Sequence, residues 1–189
     1  MEMPAGGYTG APRSLVARMI GAAMLDTTVY EEVEHDQSAT TQAAIVVAIV
    51  AICAAIGNYN NGSKLIIGGI VMAFVSWILW SVLTYFIGTK LFNGRADIGE
   101  MLRTLGFAQA PGVIAILGII PFLGRLIVFA VMIWQLVTGV IAIRQALDFD
   151  TGKAVATAVI AWVVIWVVTM VIFSMFFGAA LIAGAAAGG

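Results

Sequence analysis

The sequence predicts an all-α fold: a polytopic membrane helical bundle of about five transmembrane helices. The third is short and broken at proline, and a cytoplasmic amphipathic and acidic helical segment precedes the first. Three observations carry this. The chain is 62% hydrophobic and 10% charged, whereas soluble chains are roughly a quarter charged. Four stretches, about 40–57, 65–88, 126–143 and 154–177, meet or approach the roughly 20 apolar residues that a spanning helix needs. A fifth, the ten residues from Val113 to Phe122, follows Pro111, contains Pro121 and ends at Gly124-Arg125.

The basic residues set the direction, because Lys and Arg near span ends collect on the cytoplasmic side. If the short stretch crosses, Arg13, Arg18, Lys90, Arg95, Arg103, Arg144 and Lys153 face the cytoplasm, and Lys64 and Arg125 face out. That is seven against two; a re-entrant loop, the alternative, gives six against three. Five spans with the N-terminus inside fit better, and all ten acids then also lie inside.

Taken in order, residues 1–39 form the cytoplasmic N-terminal segment, with no cleavable signal peptide, so the first span is the insertion signal. Within "PRSLVARMIGAAML" (12–25), Leu15, Val16, Met19, Ile20 and Ala23 share a helical face with Arg13 and Arg18 elsewhere, which suits a helix lying in the membrane interface. Thr28 stands three residues before Glu31, a capping-box spacing, and opens an acidic helix carrying Glu31, Glu32, Glu34 and Asp36. An acidic helix beside an anionic leaflet needs neutralising, so "EEVEHD" is expected to dock on basic sites such as Arg95 and Arg103. These six residues are the candidate partner-binding set. Residues 40–177 form the transmembrane domain. Its third element divides into an interfacial helix over 98–109, capped by Asp97 with Glu100, and a short helix over 112–120, with the break at Ala110-Pro111. Non-helical backbone at membrane depth needs protein cover, so the other four spans are expected to surround the short helix, with "PFLGR" as a tight outer turn. Residues 178–189 form a Gly/Ala-rich outer tail, expected to fray or lie at the interface.

Little of this carries chemistry. Glu32-x-x-His35 has the spacing of a di-iron helix, but such sites need two of these motifs and the chain has one histidine. No catalytic triad, phosphate loop or Cys/His cluster is present, and Cys53 reads as an apolar filler. No catalytic residue, cofactor or metal site is therefore predicted, and the net charge of −1 points away from nucleic acid. The spans hold no Asp, Glu, Lys, Arg or His away from their ends, which disfavours ion coupling. Gln109 and Gln135 are the intramembrane polar residues of note, and a lone amide at mid-depth ordinarily ties two helices together.

Three segments, "YEEVEHDQSATTQAAIVV", "MLRTLGFAQAPGVIAILGIIPFLG" and "IWQLVTGVIAIRQAL", make the chain resemble the Yip family (Ypt-interacting proteins) of five-span membrane proteins, over roughly 14–177. The resemblance implies five spans and a cytoplasmic N-terminus. In eukaryotes it implies association with prenylated Rab-type GTPases, vesicle traffic and membrane shaping. With about forty residues before the first span, this chain resembles the short prokaryotic type. The expectation is a non-enzymatic multi-pass protein of the cell membrane. It acts as a scaffold or accessory subunit of a larger membrane-protein complex, or recruits a cytoplasmic protein or organises lipid. The alternative is a passive small-molecule or lipid-handling protein with passage along Gln109, Pro111 and Gln135. A packed interior favours the first and a continuous cavity the second.

Overall fold

Ser14 starts the first helix by accepting from the Ala17 backbone N–H, and from there the described residues are mostly helix. The computed structural model describes residues 13–58 and 66–187, and no strand occurs among them. The elements are α1 (Leu15–Ala23), α2 (Thr27–His35), α3 (Ala39–Gly57), α4 (Ile66–Phe92), α5 (Ile98–Phe107), a 3₁₀ helix (Ala110–Ile119), α6 (Leu123–Ala146) and α7 (Thr151–Ala187). Residues 1–12, 59–65 and 188–189, and with them Lys64 and the last two glycines of the expected tail, lie outside the described residues.

Four helices, α3, α4, α6 and α7, are long and apolar enough to cross a membrane, and α5 with the 3₁₀ helix makes a fifth if the bent pair counts as one span. The bend between those two is 40°. The 3₁₀ form extends the reach of a short sequence: its ten residues cover about 20 Å at about 2.0 Å per residue, against about 15 Å for an α-helix.

The central element is α5. It packs on α2, α3, α4 and α6, and Met101, Arg103, Thr104, Leu105, Gly106 and Phe107 are all buried. This corrects the expected interfacial helix over 98–109: the segment has enough apolar residues to fill the bundle interior, and its capping box on Asp97 and Glu100 forms at the polar end. The break also differs. It falls at Ala108-Gln109, and Pro111 sits in the first turn of the 3₁₀ helix, where its missing N–H is tolerated.

The other four spans do not surround the 3₁₀ helix. It lies between α3 and α6, while Ile114, Ile116, Leu117, Ile119 and Ile120 are 36–43% exposed on the outer side. A 3₁₀ helix pairs its own N–H and C=O groups, so apolar side chains suffice on the lipid side. Close approach is set by glycine: a Cβ on Gly57 would collide with the Ala115 carbonyl, and one on Gly124 with the Gly118 carbonyl. The turn that follows places Phe122 at φ 63°, fully exposed.

Two further differences concern the ends. α2 is capped by Asp26, whose carboxylate accepts from the Thr28 N–H, so Thr28 is inside the helix and not its cap. α7 continues as helix to Ala187, against the first of the two expectations for the tail, that it frays or lies at the interface; alanine is the strongest helix former, and four of residues 183–187 are alanine.

Candidate functional site

At the polar end, α1 and α2 meet through a buried ionic cluster. Arg18, fully buried, donates from Nε and Nη2 to Glu32 Oε1 at 3.0 and 2.8 Å, from Nη2 to Asp36 Oδ2 at 2.7 Å, and from Nη1 to Gln42 Oε1 at 2.9 Å. One planar fork thus joins α1, α2 and α3, a geometry that arginine offers and lysine does not. Arg13 adds an ion pair to Glu32 at 3.4 Å. Hydrogen bonds from Ser38, and then from Arg18, hold the Asp36 carboxyl below the usual range. The expected interfacial helix therefore has three faces. Arg18 and Ala22 face inward, Leu15, Met19 and Ala23 pack on the core, and Val16, Ile20 and Met24 are exposed.

Arg103 reaches the same segment differently. It is buried, and its guanidinium donates to the backbone carbonyls of Val33 (2.9 Å) and Glu34. These belong to the last turn of α2, whose carbonyls have no intrahelical donor, so Arg103 caps α2 and favours its negative dipole end. Glu31 Oε1 accepts from Gln145 Nε2 at 3.2 Å. Burial pushes the Glu34 carboxyl up to about 7, with His35 opposing and Glu100, Asp148 and Glu31 adding to the shift. Arg95 is exposed, and its side chain bonds to none of the four acids. The acids of "EEVEHD" are thus neutralised mainly from α1. His35 Nδ1 bonds the Glu31 carbonyl at 2.8 Å while Glu32 turns to Arg18. Among the described residues no group of three or more His, Cys, Asp or Glu stands close enough to share a metal.

The second region lies at the break. Pro111 has no N–H, so the Ala108 carbonyl lacks its 3₁₀ donor; Thr138 Oγ1 donates to it at 2.7 Å. Gln135 Nε2 donates to the Gln109 carbonyl at 3.2 Å. Two polar residues of α6, one turn apart, thus bond two successive carbonyls, the second of which also accepts from the Gly112 N–H at 2.8 Å. Tryptophans do similar work elsewhere: Trp77 Nε1 donates to Leu102 O at 3.1 Å and Trp134 Nε1 to Ala23 O at 2.8 Å.

Around Gln135 the bundle is open. α7 packs on both α4 and α6, which scarcely touch each other. Between the three lie a cavity of about 660 Å³ and an adjoining one of about 320 Å³, which share Trp80, Gln135 and Gly139. Both fall in the range of roughly 300–1,000 Å³ that small-molecule sites occupy. The larger is almost wholly apolar, and its rim residues Met132, Leu136, Val159 and Trp162 are 50–60% exposed, so it opens sideways onto the bilayer-facing surface. The smaller adds Ser76 and Gln109. A Cβ on Gly139 would meet no atom within 4 Å.

These apolar spans around one buried, bent element agree with what the sequence matches. A family model, the Yip1 domain, matches residues 27–173. The chain belongs to the Yip1 domain family. Neither a curated protein nor a solved structure matches it.

As a Yip1 domain protein it is a multi-pass membrane protein. The match begins at Thr27, the first residue of α2, and ends at Phe173 in α7. It therefore takes in Arg103, both cavities and the acidic helix, whereas Arg13 and Arg18 precede it. The principal counter-ion of Glu32 comes from outside the domain.

Sequence reasoning singled out Gln109 and Gln135, which the structure brings together in one hydrogen bond, but had no means to show the space beside them. It missed Gln42 and the hydrogen-bonding roles of Arg18, Thr138, Trp77 and Trp134. Arg18 left one signal: it stands in an otherwise apolar helix 14 residues from Glu32.

Proposed function

We propose that this Yip1 domain protein is a non-enzymatic lipid-handling protein of the cell membrane, its N-terminus in the cytoplasm. It takes a single lipid sideways from the bilayer into the gap between α4, α6 and α7. The observation that carries this reading is the pair of adjoining cavities around Gln135, the larger with an exposed apolar rim. The test is lipid analysis of protein purified in mild detergent, with Gly139→Leu as the comparison. A Cβ there meets no atom within 4 Å, so the leucine side chain has room to start into the cavity and occupy it. The wild type should retain a stoichiometric lipid and the variant should lose it. Equal lipid content in both would overturn the reading.

A scaffold role has its own support. Glu31, His35 and Arg95 are exposed at the polar end, where a cytoplasmic protein or a subunit of a larger membrane complex could dock. Glu32 and Arg103 are buried in bonds within the chain, so recruitment on this reading uses the outer groups alone. A protein that co-purifies stoichiometrically, and is lost in Arg95→Glu, would support it.

A further inference from the structure

The smaller cavity holds polar groups that the fold leaves unused. Gln135 gives its Nε2 to the Gln109 carbonyl, but its Oε1 accepts no hydrogen bond among the described residues. The side-chain amide of Gln109 and the hydroxyl of Ser76 likewise have no hydrogen-bond partner there, and all three residues line the same 320 Å³ space. Ser76 stands within an apolar span helix, where a serine hydroxyl ordinarily bonds back to its own helix. Ser76 is exposed at the mouth of this space and Gln109 and Gln135 are half-buried, so they face the hydrocarbon side, where a polar group costs free energy unless something bonds it. No charged residue lines either cavity.

We propose that this pocket selects a neutral lipid carrying a hydroxyl group. On this assignment, which rests on the lipid-handling reading above, the ligand hydroxyl donates to Gln135 Oε1 and accepts from Ser76 or the Gln109 amide, while one chain lies in the apolar cavity between Trp80 and Trp162. Depth and charge argue for the class. Gln135 is the thirteenth residue of the 24-residue α6, about 18 Å from either end at 1.5 Å per residue. A charged phospholipid head brought to that depth would lose its hydration with no counter-charge to replace it. A neutral head such as that of diacylglycerol carries no such penalty. It also supplies the donor that the free Gln135 carbonyl lacks.

The experiment uses the full chain in phosphatidylcholine nanodiscs doped with a diacylglycerol carrying a photoreactive acyl chain, or with a phosphatidylcholine carrying the same chain. The expected result is crosslinking to peptides containing Trp80 or Trp162 about tenfold stronger for the diacylglycerol. Ser76→Ala and Gln135→Met should reduce that preference. Ser76→Ala removes a side chain that holds no hydrogen bond in the fold, so it keeps the test valid should Gln135→Met fail to fold. Equal labelling by both probes would overturn the head-group selection and leave the lipid-handling reading standing. Absence of labelling at these peptides by either probe would overturn both.

Discussion

Thr138 donates its hydroxyl to the carbonyl of Ala108 across 2.7 Å, and this bond substitutes for the one that Pro111 cannot make. In hydrocarbon such a carbonyl has no water to turn to. Thr138→Val should therefore destabilise the fold by about 1–3 kcal/mol. Pro111→Ala restores an N–H near Ala108, so the double variant should lose less than the sum of the two single changes. Reversible denaturation of the four proteins in detergent measures this, and strict additivity would contradict the pairing.

Arg18 is the residue on which the N-terminal helices turn. Removing one partner of a buried ion pair leaves the other uncompensated, so Arg18→Ala should cost about 3–5 kcal/mol. Arg18→Lys should recover only part of that, because an ammonium cannot serve Glu32, Asp36 and Gln42 with one planar fork. Limited proteolysis of the α1–α2 segment, read beside a thermal melt, follows both.

Arg103→Glu should release α2 from the bundle, because it sets a carboxylate against the Val33 and Glu34 carbonyls that the guanidinium now holds. Protease cleavage near Asp36 should accelerate, and Arg103→Lys should lie between the two. Unchanged cleavage in Arg103→Glu would show that this cap does not secure the segment.

Thr157 is fully buried in α7, and its hydroxyl has no partner among the described residues. Replacing it with valine keeps the shape and removes the unmet hydrogen bond. Thr157→Val should raise stability by about 1 kcal/mol, seen as a higher melting temperature.

Glu34 has a folded-state pKa raised to about 7. Across the window from its ordinary value up to 7 the folded chain holds more protons there than the unfolded one. Stability from this group therefore falls as pH rises through that window. Glu34→Gln should flatten the decline, and should gain over the wild type at pH 8 but not at pH 5. Melting curves at the two pH values decide it; an equal offset at both would remove Glu34 as the cause.

The helical class and the four long spans were legible because they depend on local composition, whereas the break falls two residues before the place that the proline suggested. Runs of apolar residues, Asp97 with Glu100, and a proline after "GFAQA" act through the nearest few residues. The pairing of charges was not legible. Arg18 and Arg103 carry the same charge on short helices, yet one meets carboxylates and the other backbone carbonyls. Which occurs depends on the angle at which α1 and α5 approach α2.

The sequence by itself determined that this chain is an all-helical membrane bundle with four long apolar spans. Only the tertiary structure decided that α5 is central and not interfacial, that the 3₁₀ helix faces outward, and that α4 and α6 stand apart to leave a cavity. The physical reason is that side-chain burial in a membrane is not written in hydrophobicity. Lipid and protein interior are both apolar, so a pattern that in water would mark the inner face marks nothing here. What separates inside from outside is close packing at glycines such as Gly57 and Gly124 and hydrogen bonds such as Thr138 to Ala108. Both exist only once the helices have met.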